Sequence, residues 1–273
     1  GRSLESILER RIIWKQTILS GNFQNGIKKL LDENIINPSD ASRKVEGLIF
    51  EASTDPAITG LTVDAQFTGD NLYDAIKKLC DSKNVGFRIK LSDDNKFVFK
   101  LYAGADRSYD QFTNPYVIFS PKFENVINTN YLESKKTLKT VTLVAGEGEG
   151  ADRRTTTVAC ASGAGTGLNR RELYTDARDV SSTVDNETLT DTEYNAQLSQ
   201  RGLENLAENI ATKSFEGKVE STRMYRYGED FFLGDMVQIV NEYGIEGKAR
   251  VTEFIRSQSK EGLDSYPTFV TVE

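Results

Sequence analysis

Residues 61–101 read LTVDAQFTGDNLYDAIKKLCDSKNVGFRIKLSDDNKFVFKL, and three successive patterns in this stretch indicate the fold. Residues 61–67 alternate apolar and polar side chains, which is the period of a half-buried strand. Apolar residues then recur at helical spacing after Asp70, a residue type that favours a helix start, and Gly86 marks the predicted helix end. Two further alternating runs flank the turn-forming residues 92–95 and predict a β-hairpin.

The sequence before this stretch extends the same unit. Ser3 precedes an apolar helical repeat, which predicts a capped amphipathic helix near the start of the chain. A second helical repeat covers about residues 22–34 and is followed by the helix-breaking Pro38. Residues 45–51 are typical of a strand. We therefore expect residues 1–110 to form one α+β subdomain, in which helices lie against a small sheet.

Beyond residue 110 the pattern becomes rich in short β runs separated by turns. A polar loop and one long helix interrupt these runs at about residues 161–215, and the helix begins with the capping-box sequence Thr190-Asp191-Thr192-Glu193. We expect residues 111–273 to form a β-barrel-like subdomain that carries this loop and helix as an insertion. The predicted fold class is therefore α+β, with a small helix-plus-sheet subdomain followed by a barrel-like one.

The closing strands of this barrel are expected near the end of the chain. Residues 231–240 and 248–257 are strand candidates, and turn-like sequences stand before and between them. We predict that both pair with strands from residues 115–160, across the inserted helix. The polar, breaker-rich residues 104–108 are predicted to connect the two subdomains.

The composition excludes several function classes. The chain has no histidine, so neither a Ser-His-Asp nor a Cys-His arrangement can be assembled from it. Its 34 basic and 41 acidic residues give a net charge of −7, which disfavours specific binding to nucleic acid. No apolar run approaches the length of a membrane span. For Cys80 and Cys160, two buried free thiols are favoured over a disulfide.

Two motifs suggest bound ions or phosphates, but each has a simpler structural interpretation. Residues 146–150 (GEGEG) superficially resemble a phosphate loop, yet glutamates stand where phosphate oxygens would lie, so a strand-to-strand loop is favoured. A calcium site is conceivable at a group of hard oxygen ligands, but this group lacks the EF-hand order, and helix capping accounts for part of it. Its members are Asp185, Asn186, Glu187, Asp191 and Glu193.

Further charged residues are candidates for chemistry on sugars or phosphates. Asp93 and Asp94 are a carboxylate pair of the kind that hydrolyses glycosides, although such pairs occur in any acidic protein. The doublets Arg153-Arg154 and Arg170-Arg171 are flanked by acidic residues, which favours local ion pairs over phosphate binding. We therefore predict no catalytic, cofactor-binding or metal-binding residue, no cofactor, and no enzymatic activity.

Several segments resemble a known family in their order along the chain. Residues 1–12 (GRSLESILERRI) are similar to the segment that opens the second hub subdomain of siphovirus and prophage tail-tip structural proteins, which include baseplate-hub, minor tail and tail-associated proteins. Similar segments follow at 119–125 (FSPKFEN), 131–134 (YLES), 144–150 (VAGEGEG), 169–172 (NRRE), 176–179 (DARD), 194–202 (YNAQLSQRG) and 227–237 (YGEDFFLGDMV). In this family a Gly-Asp turn, here Gly234-Asp235, lets the chain re-enter the terminal barrel.

The resemblance implies a virion protein of the phage tail tip, made in the bacterial host cytoplasm. Its β-barrel-like subdomains would assemble as a homotrimeric ring that joins the tail tube and the distal tail protein to the receptor-binding protein or tail fibre. The tape-measure protein and DNA would pass through the ring, and an acidic or neutral channel would let DNA pass without being trapped. Members often have a further β segment upstream, and residues 1–3 resemble either the middle of a longer protein or a processed start.

Two alternatives of other classes remain open. The first is a carbohydrate- or receptor-binding tail module, which suits the aromatic residues and the short strands. The second is the non-catalytic part of a tail-associated cell-wall hydrolase. A membrane span and sequence-specific nucleic-acid binding are not expected under any of these interpretations.

Overall fold

The computed structural model describes residues 2–184, 187–219, 224–244, 246–260 and 262–272. The chain forms two compact units. The first comprises Gly1–Tyr102 and Lys139–Ile210, and the second comprises Ala103–Leu138 and Ala211–Glu273. Helices and several small sheets together confirm the predicted α+β class. No helix of the described residues is long and apolar enough to cross a membrane.

The elements are numbered in chain order. The α-helices are α1 (Phe23–Leu31), α2 (Pro56–Thr59), α3 (Leu72–Ser82) and α4 (Asp191–Glu208). The strands are β1 (Thr17–Asn22), β2 (Leu48–Glu51), β3 (Thr62–Phe67), β4 (Gly86–Leu91), β5 (Phe97–Tyr102), β6 (Ile118–Phe119), β7 (Val126–Ser134), β8 (Val141–Ala145), β9 (Thr155–Ala159), β10 (Glu172–Asp176), β11 (Thr183–Val184), β12 (Glu187–Thr188), β13 (Thr212–Val219), β14 (Met236–Val240), β15 (Glu246–Ser259) and β16 (Gly262–Val272). Short 3-10 helices span Leu4–Arg10, Ala41–Arg43, Pro121–Phe123, Gly150–Asp152 and Gly167–Asn169, and a π-helical turn, Asp32–Ile36, continues α1.

The first unit begins as the sequence predicts, with helices against small sheets. Strands β1 and β3 pair antiparallel, and a three-stranded sheet has the order β2-β5-β4. The apolar faces of α1 and α3 are fully buried, which supplies the main stabilisation of this part. In the three-stranded sheet the ring of Phe99 lies parallel to Phe50 and Phe87, with centroid separations of 5.8 and 5.6 Å.

The ends of α3 differ in detail from the prediction. Asn71, not Asp70, caps the helix, because its side chain accepts a hydrogen bond from the backbone N–H of Tyr73. Asp70 instead accepts from the backbone of Thr68 in the preceding turn. The chain leaves the helix through Asn84, whose φ of 55° is left-handed, and Gly86 already belongs to β4.

The predicted N-terminal amphipathic α-helix is a 3-10 helix, Leu4–Arg10, and the Ser3 side chain makes no capping bond. Tertiary contacts determine this tighter geometry. Leu8 is fully buried, and the side chain of Glu5 accepts a hydrogen bond from the backbone N–H of Ile89 at 2.7 Å.

Helix α4 forms its predicted capping box, in which Thr190 and Glu193 bond each other's backbone N–H. It packs against the sheet β10-β8-β9, where Gly202 permits close approach: a Cβ there would lie 2.8 Å from methyl groups of Val144 and Val158. Ile210 lies beyond the end of the helix at Glu208 and is half exposed.

The opposite side of α4 packs against β3 and α3. The sequence-based division placed all of residues 111–273 in one barrel-like subdomain. The contacts instead join Lys139–Ile210 to the first unit. The physical reason is this two-sided packing of α4, which buries polar side chains such as Gln200 and Glu204 that a sequence pattern assigns to solvent.

The second unit is built on one six-stranded sheet with the order β6-β14-β15-β16-β13-β7. Of the two predicted closing strands, β14 pairs with β6, but β15 pairs with β14 and β16 and not with a strand from residues 115–160. Strand β7 pairs with β13, and β8 pairs with β9 and β10. One apolar core fills this unit. In it the ring of Phe119 contacts those of Phe231 and Phe269, with centroids 5.5 and 4.9 Å away.

The two outer strands of this sheet, β6 and β7, are neighbours in the chain. Only residues 120–125 separate β6 from β7. The side chain of Asn125 tightens this link by accepting from the Ser120 N–H and donating to the Ile118 carbonyl, both at 2.8 Å. Among the described residues no pairing joins β6 to β7, so barrel closure remains a prediction.

Candidate functional site: a loop and pocket on the second unit

The loop between residues 103 and 117 is anchored to the start of β14. Its Gly104 contacts the backbone of Gly234 so closely that a Cβ would lie 1.7 Å from the Gly234 carbonyl oxygen. The buried carboxylate of Asp235 accepts from the N–H of Ala105 at 2.8 Å and from Nε of Arg107 at 2.7 Å. The Gly-Asp pair singled out in the sequence is thus the anchor of this loop.

Side-chain hydrogen bonds within the loop fix its shape. Asp106 accepts from the N–H of Ser108 at 2.8 Å, and these bonds lower the pKa of Asp106 although burial acts to raise it. Gln111 accepts from the N–H groups of Thr113 and Asn114 at 2.8 and 2.6 Å. A loop with this many internal bonds presents its remaining side chains in fixed positions.

Three aromatic side chains of the loop face solvent. Tyr109 and Tyr116 are part-exposed and meet edge to face, with ring centroids 5.8 Å apart. Phe112 is 93% exposed. Exposed aromatic residues on a rigid loop are typical of a binding surface, since ordering them costs little on association.

A cavity of 130 Å³ lies beside this loop. Its lining combines aromatic, cationic and anionic groups from two chain segments: Arg107, Pro115, Tyr116, Val117, Tyr225, Glu229 and Asp230. Asp230 also accepts from the backbone N–H of Arg226 at 2.7 Å, which orients its carboxylate. The Nη atoms of Arg107 have no hydrogen-bond partner within the described ranges. These groups suit non-covalent binding of a polar ligand.

The basic doublets lie in the other unit, where Arg170 makes the predicted ion pair with a flanking acid, whereas Arg153 and Arg154 pair with acids that are distant in sequence. Arg153 bonds Asp176 at 2.6 Å, and Arg154 lies 3.6 Å from Asp191. Arg170 bonds Glu172 at 2.7 Å. These positive charges are therefore paired within the chain.

Asp176 receives a second cation as well. The hydrogen bond from Arg178, opposed by desolvation and supported by the hydrogen bond from Arg153, lowers the pKa of Asp176 to about 2. The carboxylate is therefore ionised under all physiological conditions, and both arginines stay neutralised.

The other sequence candidates are spread out. Residues 146–150 connect β8 to β9, as predicted. Asp94 lies in the β4–β5 turn and pairs with Lys96 at 3.1 Å. Asp185 and Asn186 of the possible calcium site lie outside the described residues, and Glu193 is engaged in the helix cap. Within the described part of the chain, no three Asp, Glu or Cys side chains are grouped to hold a metal ion.

Both cysteines are free thiols. Cys80 is buried, as predicted, and burial raises the pKa of its thiol far above the usual range. Cys160 is only partly buried and lies 3.2 Å from the hydroxyl of Ser162.

Sequence reasoning missed the pocket because it interpreted residues 104–108 as a connector. The available signals were Gly104 and the Gly234-Asp235 pair, since both mark close backbone approaches. The pairing of segments about residues 107 and 230 arises only from the fold, and no local pattern encodes it.

Comparisons with known proteins agree on one class. The sequence model of the siphovirus ReqiPepy6 Gp37-like protein family matches residues 1–269. A search among curated proteins found no match. The fold is similar to a tail protein from Neisseria meningitidis, at 14% identity and a TM-score of 0.51, covering 100% of this chain and 73% of that one.

Two further solved structures show the same fold. One is the 43 kDa tail protein of prophage MuSo2 from Shewanella oneidensis, at 11% identity and a TM-score of 0.51, covering 100% of this chain and 72% of that one. The other is the prophage tail protein gp18 from Listeria monocytogenes, at 15% identity and a TM-score of 0.50, covering 97% and 69%.

Proposed function

Since the chain belongs to the siphovirus ReqiPepy6 Gp37-like protein family, we propose that it is a structural component of a bacteriophage or prophage tail. The observation that carries this proposal is the extent of the family match, which spans residues 1–269 and therefore both compact units. The similarity of the fold to three tail proteins supports the same role. The chain is accordingly a virion protein.

Within the tail, the proposed position is the tip hub, between the tail tube with its distal tail protein and the receptor-binding tip. The order of hub-like segments along the sequence supports this position, and so does the Gly234-Asp235 turn that anchors a loop to β14. The role is structural, not catalytic, because a chain without histidine lacks the commonest general base.

The proposed assembly is a homotrimer. The edge strands of the six-stranded sheet are β6 and β7. The edge strands of the three-stranded sheet β10-β8-β9 are β9 and β10. Edge strands carry backbone groups that a neighbouring copy can pair or cover, and leaving them open risks aggregation. Three copies that meet at such edges around an axis would form a ring with a central channel.

The charge of the chain suits a channel that DNA passes through. Each Lys or Arg contact with a phosphate adds affinity, so a basic lining would slow transit. The net charge of −7 and the pairing of Arg153, Arg154 and Arg170 with carboxylates leave little free positive charge in these segments. We therefore propose an acidic or neutral channel surface.

Light scattering coupled to size exclusion tests the assembly. The measured mass should rise with concentration to three times the chain mass of 30.5 kDa. A mass of one chain at every concentration up to about 100 µM, where even weak specific oligomers form, would contradict the trimer. A gel-shift experiment with duplex DNA at low salt should show no complex, and a salt-sensitive complex would contradict the proposed channel charge.

A further inference from the structure

The assembly proposed above assigns no ligand to the pocket on the second unit. Arg107 supplies N–H donors, because its Nε is held in the buried ion pair while its Nη atoms have no partner within the described residues. Glu229 and Asp230 supply carboxylate acceptors, and Tyr116 and Tyr225 supply aromatic surface. A ligand must satisfy all three kinds of group.

Three ligand classes fit this lining poorly. A cation gains less than the carboxylates alone suggest, because Glu229 already lies 3.6 Å from the guanidinium of Arg226. An anion finds Arg107 already paired with Asp235 and also meets the carboxylates of Glu229 and Asp230. An apolar side chain removes water from all three charged groups and replaces none of their hydrogen bonds.

We propose that this pocket binds one neutral pyranose ring of a glycan. Sugar hydroxyls both donate and accept, so they can accept from Arg107 and donate to Glu229 and Asp230. The C–H face of the ring can lie against Tyr116 or Tyr225. A neutral ring is repelled neither by the guanidinium of Arg107 nor by the carboxylates of Glu229 and Asp230.

The cavity of 130 Å³ is smaller than pockets that enclose drug-sized ligands, which limits the ligand inside it to no more than a single ring. A second ring of the same glycan would meet further aromatic surface, because Tyr109 contacts Tyr116 at a centroid distance of 5.8 Å and exposed Phe112 lies on the same loop. The internal hydrogen bonds of the loop hold these side chains ready, which reduces the entropy lost on binding.

Saturation-transfer NMR on the full chain tests the proposal. The probes are the methyl pyranosides of glucose, galactose, rhamnose and N-acetylglucosamine, with sodium acetate and tetramethylammonium chloride as charged probes. Tyr116→Ala removes an aromatic wall, and Glu229→Gln removes a carboxylate, while both leave the anchoring ion pair of Arg107 intact. Tyr243→Ala is the matched control, since Tyr243 is 82% exposed and does not line the pocket.

At least one pyranoside should bind with a Kd of about 1–10 mM, the range for so small a contact. Tyr116→Ala should weaken that affinity about tenfold and Glu229→Gln about threefold, with Tyr243→Ala unchanged. The proposal is overturned if no pyranoside binds at about 50 mM, if a charged probe binds more tightly than every sugar, or if Tyr116→Ala binds like the control. None of these outcomes bears on oligomer mass, so the hub proposal is tested separately.

Discussion

Replacing Glu204 by glutamine should remove a pH-dependent weakness of the first unit. Glu204 lies on α4 and is only 2% exposed. Gln200 donates to it at 3.2 Å, and Nε of Arg201 is 3.7 Å away. The same guanidinium bonds Asp179 at 2.9 Å and the Gln66 carbonyl at 3.3 Å, so its charge is shared. Desolvation of the Glu204 carboxylate therefore has the largest effect on its pKa.

Burial raises the pKa of Glu204 from 4.5 to about 7, against the opposing attraction of Arg201, the hydrogen bond from Gln200 and the charge of Lys78. Asp70 contributes a further small increase. A carboxyl with a raised pKa binds its proton more tightly in the folded state, so stability is lost as pH rises from about 4.5 to about 7. At about 1.4 kcal/mol per pKa unit, this loss amounts to about 3 kcal/mol.

Urea unfolding measures this effect through the fluorescence of Trp14, the single tryptophan of the chain, which lies in the first unit. Glu204→Gln stays neutral and should match the wild type near pH 4.5, then exceed its free energy of unfolding by about 3 kcal/mol at pH 8. Glu208→Gln is the control on the same helix, because Glu208 is exposed and pairs with Lys78 at 3.6 Å. Its effect should stay below about 1 kcal/mol.

The comparison between variant and wild type isolates Glu204 from the other titrating groups. A difference in unfolding free energy that stays constant between pH 4.5 and 8 would refute the reasoning. An equal gain in Glu208→Gln would show that the general charge of the helix, and not the burial of Glu204, causes the effect.

Four further predictions follow from the described contacts. Asp235→Asn should destabilise the second unit by about 3–5 kcal/mol in chemical denaturation, because it leaves Arg107 unpaired in a buried position; a loss below about 1 kcal/mol would contradict this. Thr190→Ala should cost about 1 kcal/mol through loss of the capping box, measured by the unfolding of the first unit. EDTA should leave the melting temperature unchanged, and a drop of about ten degrees would reveal a structural ion. Zymography on peptidoglycan should show no clearing at micromolar protein, whereas clear zones would demonstrate a hydrolase activity.

Local periodicity was sufficient for the elements around α3. Its apolar positions, the flanking strand β3 and the hairpin β4–β5 all follow directly from helical and alternating patterns. The predicted N-cap of α3, Asp70, lies one position before the observed N-cap, Asn71. Both residue types are good caps, and tertiary contacts determine which of the two caps the helix.

The division into units could not be predicted from local patterns. Helix α4 uses Gly202 to approach one sheet while burying Gln200 and Glu204 toward α3 and β3. Polar residues at helical spacing normally indicate a solvated face, so the sequence gives no sign of this second contact. The segment Lys139–Ile210 consequently looks like an insertion in the barrel, although it packs with the first unit.

The candidate site was also hidden from the sequence. Arg107 and Asp230 are distant in the chain, and their approach depends on the anchoring of the loop by Asp235. The prediction of an assembly role did not depend on this site, since it came from the order of family-like segments.

Cryo-electron microscopy of the assembled protein tests the central proposal most directly. We expect three copies in a closed ring, with strand edges at the interfaces and a central channel whose surface is acidic or neutral. A particle of another symmetry, or a channel lined by a continuous ring of arginine or lysine, would contradict the proposed function.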